Sequence, residues 1–451
     1  MDLTSRLISG LIFPMHERLK GHDTVALRRA LEDSQWYAPD ALRALQWRRL
    51  HALLIEVGRR VPFYREFFRA HGLRPERWQD FADLQRLPIV DKALIRAQGA
   101  RWRAENAPRL VAASTSGSTG EPLRFWLSWQ RQSMDIAAKW RATRWWDVDI
   151  GDRELVVWGA PIEVNRQDFL KNWRDRLLRS RLLPAQQLST ERLDTMLDTL
   201  RRWRPRMLFG YPSVLARLAW HAQARGLALA DRGMRVAFVT SEVLQPEWRA
   251  VIGTVFGCGV ANEYGARDAG FIARECPAGG WHITAESVLL ETVDEHGCPV
   301  PPGAPGELLV TNLVGAEFPF IRYRTGDRGR LDPTTRCPCG RGLPLLAELA
   351  GRANDGLLAV TGAWVHGSAF NYLVRGLPGL RAYQIVQEQL ERVEVHLALA
   401  AGPLALDTER TIAAGIRHHL GPTVAVVFNY APELAAAANG KYRHVICRIA
   451  R

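Results

Sequence analysis

Cysteine is scarce in this chain. Six cysteines in 451 residues cannot make a disulfide framework, so a stapled secreted scaffold is excluded and a reducing compartment, the cytoplasm, is the expected location. No apolar run reaches the ~18 residues that span a bilayer. The opening stretch Leu7–Met15 is apolar but has no small-residue cleavage site behind it. It reads as a first element packed into the core, with peripheral membrane contact as the lesser alternative. Blocks of five or more like charges are also missing, which argues against a charged interaction tail.

What is present is the composition of a folded globular protein. The residues are 47% apolar and 24% charged, and a length of 451 suggests two unequal domains. The 60 Lys+Arg against 47 Asp+Glu leave a net charge of +13, which suits nucleic acid, an anionic membrane surface or polyanionic small molecules. Most basic residues are arginines spread along helical stretches, as in Arg174–Arg181 and Arg201–Arg206. Aromatic–basic interleaving is missing, so a solvated basic surface is expected and nucleic acid is not.

Residues 24–72 read as helical, with Leu27, Leu31, Leu42, Leu45, Leu50 and Leu54 at roughly helical spacing and a break at Val61-Pro62-Phe63-Tyr64. Short strands are predicted at Leu110–Ala113 and Leu123–Leu127, around a loop of small residues. Helical patterns then alternate with apolar strands at Leu155–Trp158, Arg206–Phe209 and Val236–Thr240, the signature of an α/β core. From Val288 to Leu331 the pattern is strand-rich with Pro/Gly turns, and strands and helices restart after Asn354. The expected architecture is α/β, with a large N-terminal domain over residues 1–353 and a small mobile α+β domain over residues 354–451.

The loop between the first two strands is Ser114-Thr115-Ser116-Gly117-Ser118-Thr119-Gly120, with five hydroxyls and two glycines in seven positions. Glycine permits close backbone approach, and the amides and hydroxyls can donate to phosphate oxygens. The lysine of a P-loop is absent, and taken alone the segment is equally a polar hairpin turn. Downstream lie Glu263-Tyr264-Gly265-Ala266-Arg267-Asp268, Tyr323-Arg324-Thr325-Gly326-Asp327, Gly351-Arg352-Ala353-Asn354-Asp355 and Asn439-Gly440-Lys441. In this order the set resembles the superfamily of acyl-CoA synthetases, peptide-synthetase adenylation domains and luciferases, from about Pro62 to Arg443. Within it the chain looks most like phenylacetate–coenzyme A ligase and the enzymes of capsular polysaccharide biosynthesis. Val61–Arg65, Leu87–Ile89, Gly210–Ser213, Glu275–Pro277, Phe320–Asp327 and Cys337–Arg341 carry that likeness.

The resemblance implies ATP-dependent activation of a small-molecule carboxylic acid to an acyl-adenylate, with release of pyrophosphate. Transfer to a thiol follows, coenzyme A being the leading acceptor and a carrier-protein thiol, an amine or a hydroxyl the alternative. Both reactants are anionic, so such a site must supply cations and oriented donors. By the resemblance, Ser114, Thr115, Ser116, Gly117, Ser118 and Gly120 close over the β- and γ-phosphates, and Thr119 joins the catalytic groups. Tyr264 and Gly265 lie against the adenine with Glu242 nearby, Asp327 accepts the ribose hydroxyls, and Arg352 holds the nucleotide from the domain boundary. Bland alternatives are a turn-forming Asp327 and a surface Arg352. Asp268 matches a position where the family usually carries a Glu that holds Mg2+; Asp is one methylene shorter, and a salt bridge to Arg267 is the alternative. Lys441, after an Asn-Gly turn, is the expected catalytic cation bridging carboxylate and α-phosphate.

Asn354 stands at the family's hinge, and Trp364 would narrow the pantetheine tunnel. Tyr211 and Pro212 are the candidate acid pocket. Trp145, Trp146 and Trp158 are further candidates, with the core as the expected fate of each.

Cys276 and His282, with Cys337 and Cys339 two apart, form a sensible tetrahedral set for structural Zn2+. Pro338 and Gly340 shape a sulfur-presenting turn. The alternative is unpaired buried cysteines with His282 as an ordinary strand residue. A Cys337–Cys339 disulfide is geometrically poor at that spacing.

Overall fold

The computed structural model describes residues 2–107, 110–115, 123–158, 174–185, 188–352, 356–374, 377–434 and 442–449. The predicted helical span forms the helices Thr24–Ser34, Pro39–Arg60 and Pro62–Ala70. Val61 divides the last two with extended backbone, φ −100° and ψ 113°, as a residue before proline prefers. Ahead of them the chain is helical from Leu3 to Leu19, but only one side enters the core. Ile8 and Phe13 are buried, whereas Leu7, Leu11 and Met15 are exposed. The expectation of a core-packed first element therefore fails for the outer face.

Strands β1 (Val111–Ser114) and β2 (Arg124–Leu127) pair as an antiparallel hairpin, close to the predicted limits. The strands that follow are β3 (Glu154–Trp158), β4 (Ser180–Pro184), β5 (Met207–Gly210), β6 (Val236–Thr240), β7 (Gly259–Ala266), β8 (Gly270–Glu275) and β9 (Trp281–Ile283). After them come β10 (Val288–Val293), β11 (Gly306–Asn312), β12 (Tyr323–Asp332) and β13 (Leu345–Arg352). Among the described residues these make one sheet in the order β10-β11-β12-β13-β9-β8-β7-β6-β5-β3-β4. The β3 to β7 pairings are parallel.

Side-chain alternation assigns the two faces of the parallel half. Leu155, Val157, Leu208, Ala237 and Val239 pack with the helices Thr190–Trp203, Pro212–Ala224 and Pro246–Phe256. Met207, Val236 and Phe238 form a separate cluster. Burial on both faces is why these strands read as continuous apolar runs.

The C-terminal unit begins with the hairpin β14 (Gly356–Leu358) and β15 (Trp364–His366). Strands β16 (Leu380–Gln389), β17 (Arg392–Leu399), β18 (Ala425–Tyr430) and β19 (Val445–Cys447) form a sheet in the order β18-β17-β16-β19. The helix Leu406–Leu420 closes its core through Ile412 and Ile416 against Ile385, Val393 and Val395. The fold is the expected α/β architecture, a large sheet-rich unit followed by a smaller one. The boundary at 353/354 and the hinge candidate Asn354 lie outside the described residues.

Candidate active site

Parallel strands present their carboxyl ends along one edge, and open α/β sheets bind ligands there. At that edge β5 ends in Gly210, followed by Tyr211 and Pro212, which start the helix Pro212–Ala224. Tyr211 is buried and stacks on Trp158, the last residue of β3, at 4.5 Å between ring centroids, so both are fixed at the carboxyl ends of neighbouring strands. The other two tryptophans do not reach this edge. The Trp145 indole donates to Gln35 Oε1 at 2.7 Å and meets His282 edge-on. The Trp146 indole donates to the Glu275 carbonyl at 3.1 Å. Both are packing residues, not pocket walls.

Directly after β6, Ser241 adopts φ 72°, a left-handed conformation that costs a non-glycine residue about 1 kcal/mol. It turns Glu242 toward two backbone donors. One carboxylate oxygen accepts from Ser213 N at 3.2 Å and the other from Tyr442 N at 2.7 Å. Glu242 thus joins the carboxyl edge of the sheet to the residue that follows Lys441. Lys441 itself lies outside the described residues, as do Ser116, Gly117, Ser118, Thr119 and Gly120.

Ser114 and Thr115 are described, and they close the hairpin. Ser114 pairs with Arg124, Thr115 N donates to Leu123 O at 3.0 Å, and Leu123 N donates to Thr115 Oγ1 at 3.0 Å. Phe125, fully buried, packs against Phe320, which packs on Tyr323. The hairpin is therefore anchored to the start of β12.

β7 and β12 are four places apart in the sheet, yet the sheet curls until β12 meets β7 once and the turn after β7 once. The Tyr264 hydroxyl donates to Asp327 Oδ2 at 2.9 Å, and the Tyr323 hydroxyl donates to Asp268 Oδ2 at 2.7 Å. Burial, then the Asp327 charge, holds Tyr264 well above the ordinary phenol pKa, so it stays a donor. Arg352 Nε lies 3.1 Å from Asp327 Oδ1. At Gly265 a Cβ would stand 2.8 Å from the Gly270 carbonyl, so only glycine lets β8 return this closely. Asp268 is buried; its other oxygen accepts from the Ala269 amide at 3.0 Å, and its carbonyl accepts from Arg131 at 3.2 Å. Among the described residues no ion pair joins Asp268 to Arg267.

The two corners are connected. A side chain at Gly351, beside Arg352, would touch Val243 at 3.7 Å, and Val243 follows Glu242. Asp327, Arg352, Glu242 and Tyr442 therefore border one region. Tyr323 and Arg131 carry no sequence signal as partners of Asp268, because they are remote from it in the chain.

A second cluster lies on the far side of β8. The ligand atoms of Cys276, His282, Cys337 and Cys339 all fall within 4.8 Å of one another. Cys276 Sγ is 3.5 Å from Cys337 Sγ, and Cys339 Sγ is 3.2 Å from His282 Nε2. A Cβ at Gly280 would lie 2.4 Å from Cys337 Sγ, so glycine makes room for the sulfur. The His282 Nδ1 faces the Leu343 carbonyl at 3.4 Å, which leaves Nε2 turned to the thiols. Burial pulls His282 down to about 4 and pushes Cys276 up to about 12. Against burial, the Arg341 backbone amide and side chain hold Cys339 below the ordinary thiol value. Three thiols and a neutral imidazole at this spacing could hold a metal ion.

Comparison with known proteins agrees with this geometry. The chain superposes on 2-hydroxyisobutyryl-CoA ligase in the postadenylation state with a TM-score of 0.73 at 21% identity, covering 92% of this chain and 91% of that one. The fold is that of the adenylate-forming ligases. Residues 357–448 match the CapK C-terminal domain. The phenylacetate-coenzyme A ligase of Thermus thermophilus is 26% identical over 77% of this chain and 78% of its own. Protein CapK of Staphylococcus aureus is 22% identical over 98% and 96%. The relatives are thus phenylacetate–CoA ligases and CapK, the members singled out by the motifs. In this adenylate-forming fold the Glu242–Tyr442 contact lies where the large and small units meet.

Proposed function

We propose that this chain is an AMP-forming ligase that activates a carboxylic acid with ATP and passes the acyl group to coenzyme A. In the first step a carboxylate oxygen bonds to the α-phosphorus and the bond to pyrophosphate breaks. In the second the thiol sulfur bonds to the acyl carbon, AMP leaves, and the thiol proton goes to solvent. The observation that carries this reading is the Glu242–Tyr442 hydrogen bond. It supports a catalytic role for Lys441, because the amide of Tyr442, the next residue in sequence, lies at the border of the Asp327 and Arg352 region.

The remaining residues then take the roles their chemistry suits. Ser114–Gly120 would donate to the β- and γ-phosphates. The Tyr264 hydroxyl orients Asp327 toward the ribose, while Arg352 supplies positive charge beside it. Tyr211 and Pro212 would border the acid. Bound Mg2+ would neutralise phosphate charge, and Asp268 would hold it: both oxygens already accept one hydrogen bond, yet each keeps a lone pair. The cysteine–histidine cluster fits Zn2+ in a closed four-ligand site, structural in role because no position stays open for substrate. Asn354 would serve as the hinge of a C-terminal unit that rotates between the two steps.

Full-length likeness to CapK, and the CapK match of the C-terminal unit that would present the acceptor, support a second reading. There an amine, a hydroxyl or a carrier-protein thiol replaces coenzyme A. A panel of carboxylic acids read by pyrophosphate exchange tests the first step, and AMP release with coenzyme A or amines separates the acceptors. Lys441→Ala should lower exchange by about a hundred- to a thousandfold, the order expected when a preorganised electrostatic group is removed, with ATP binding retained. Exchange at the wild-type rate would remove Lys441 from the mechanism.

A further inference from the structure

The helix that opens the described chain carries an apolar stripe with no protein partner among the described residues. Leu3, Leu7, Leu11, Met15 and Leu19 are 83%, 51%, 52%, 56% and 87% exposed, at strict four-residue spacing. On an α-helix of ~3.6 residues per turn such a stripe would wind around the axis. Here it is straightened. Ile8–Ile12 forms a π turn, with Phe13 N donating to Ile8 O, and Pro14 follows. Proline has no N–H for the Gly10 carbonyl and its ring would crowd that oxygen. The wider turn absorbs the surplus rotation, so the five apolar side chains stay nearer one side.

The opposite side is anchored. Ile8 lies against Gly151, the Ser5 hydroxyl donates to Asp152 at 2.8 Å, and Phe13 meets Trp140 edge-on. Leu177 and Leu182, also exposed, lie in the neighbouring segment that Arg179 ties to Asp2 at 2.9 Å.

Charge identifies the occupant. Arg6 and Arg18 are exposed on this helix, with Arg176 beside Leu177. Most nearby acids are engaged within the protein: Glu17 is buried among Thr24, His22 and Lys20, Asp2 is paired with Arg179, and Asp175 with Arg174, which leaves Asp23 as the one exposed carboxylate near the end of the stripe among the described residues. We propose that this face docks the protein in the plane of an anionic lipid bilayer, leucines in the acyl boundary and cations against the headgroups. That is the pattern of an interfacial amphipathic helix: apolar burial and a basic rim together hold what neither holds alone. A second copy fits less well, because face-to-face pairing would bring like charges together.

Co-sedimentation with vesicles of phosphatidylglycerol and phosphatidylcholine, and of phosphatidylcholine alone, tests this on the full chain. The protein should pellet with the anionic vesicles at least tenfold more than with the neutral ones. Added salt should weaken that binding, and Leu7→Asp with Leu11→Asp should abolish it. Both sites are exposed, and an unchanged melting curve will show that the double variant is folded. Equal partition onto neutral vesicles, unaltered pelleting of the double variant, or a soluble dimer that the variant dissolves would each overturn the proposal.

Discussion

Asp268 and Asp327 are the same residue type made different by their neighbours. Asp327 faces Arg352, a half-exposed cation, while Asp268 is enclosed by Tyr323, the Ala269 amide and the Arg131-bound backbone. Tyr323→Phe removes one hydrogen bond from a buried carboxylate, costing about 2 kcal/mol of stability. If Asp268 holds Mg2+, loss of this orienting contact should also cut adenylation about tenfold and raise the Mg2+ needed for half-maximal rate. An unshifted Mg2+ dependence would leave Tyr323 with packing alone. Asp268 and Asp327 were legible in the sequence from the motifs they terminate. Their hydroxyl partners were not, since Tyr323 and Asp268 are 55 residues apart and meet only because the sheet curls.

At the scale of elements, the thiol–imidazole cluster shows what spacing can and cannot reveal. The pair Cys337 and Cys339 advertised itself through the proline and glycine of its turn. That Cys276 and His282 approach it depends on β8, β9 and β13 pairing in that order, with His282 opposite Leu345. With Zn2+ in the cluster as proposed, Cys337→Ser should release it and destabilise the protein by about 2 kcal/mol, because the remaining thiols lose their common partner in a buried site. Elemental analysis and a melting curve check this; native protein free of zinc would end the assignment. Strand limits came through well where both faces are buried, as in β6. The first helix came through poorly, because an apolar run does not say which of its faces finds a partner.

For the whole molecule, the contact between the two units centres on Trp248, Tyr442 and His444. The Trp248 indole donates to the Arg381 carbonyl at 2.7 Å, and the Tyr442 hydroxyl donates to the Tyr383 carbonyl at 3.1 Å. His444 is buried between Tyr383 and Gln245, with Nδ1 3.2 Å from the Tyr383 carbonyl and Nε2 3.1 Å from Gln245 Nε2. Burial pulls its pKa down to about 4 from 6.5. Released His444 binds a proton more readily than docked His444, so the contact has full strength above pH 6.5 and weakens as pH falls toward 4. Protection factors of the β16 and β19 amides, corrected for the intrinsic pH dependence of exchange, should fall over that interval in the wild type and lose the dependence in His444→Phe. The readout is local because His282, which shifts in the same direction, sits in the cysteine–histidine cluster instead. Pattern alone foresaw a second unit; it held no sign of which histidine would be sealed at the join.

Glu242 fastens the two units with one carboxylate and two amides, and it is only partly buried. Were the small unit to swing away, the oxygen facing Tyr442 would meet water instead of vacuum or grease, and its partner amide likewise. A clasp of that sort trades one set of hydrogen bonds for another at small net cost in either direction. It can therefore fix a lysine's neighbour firmly for one chemical step and still let go for the next.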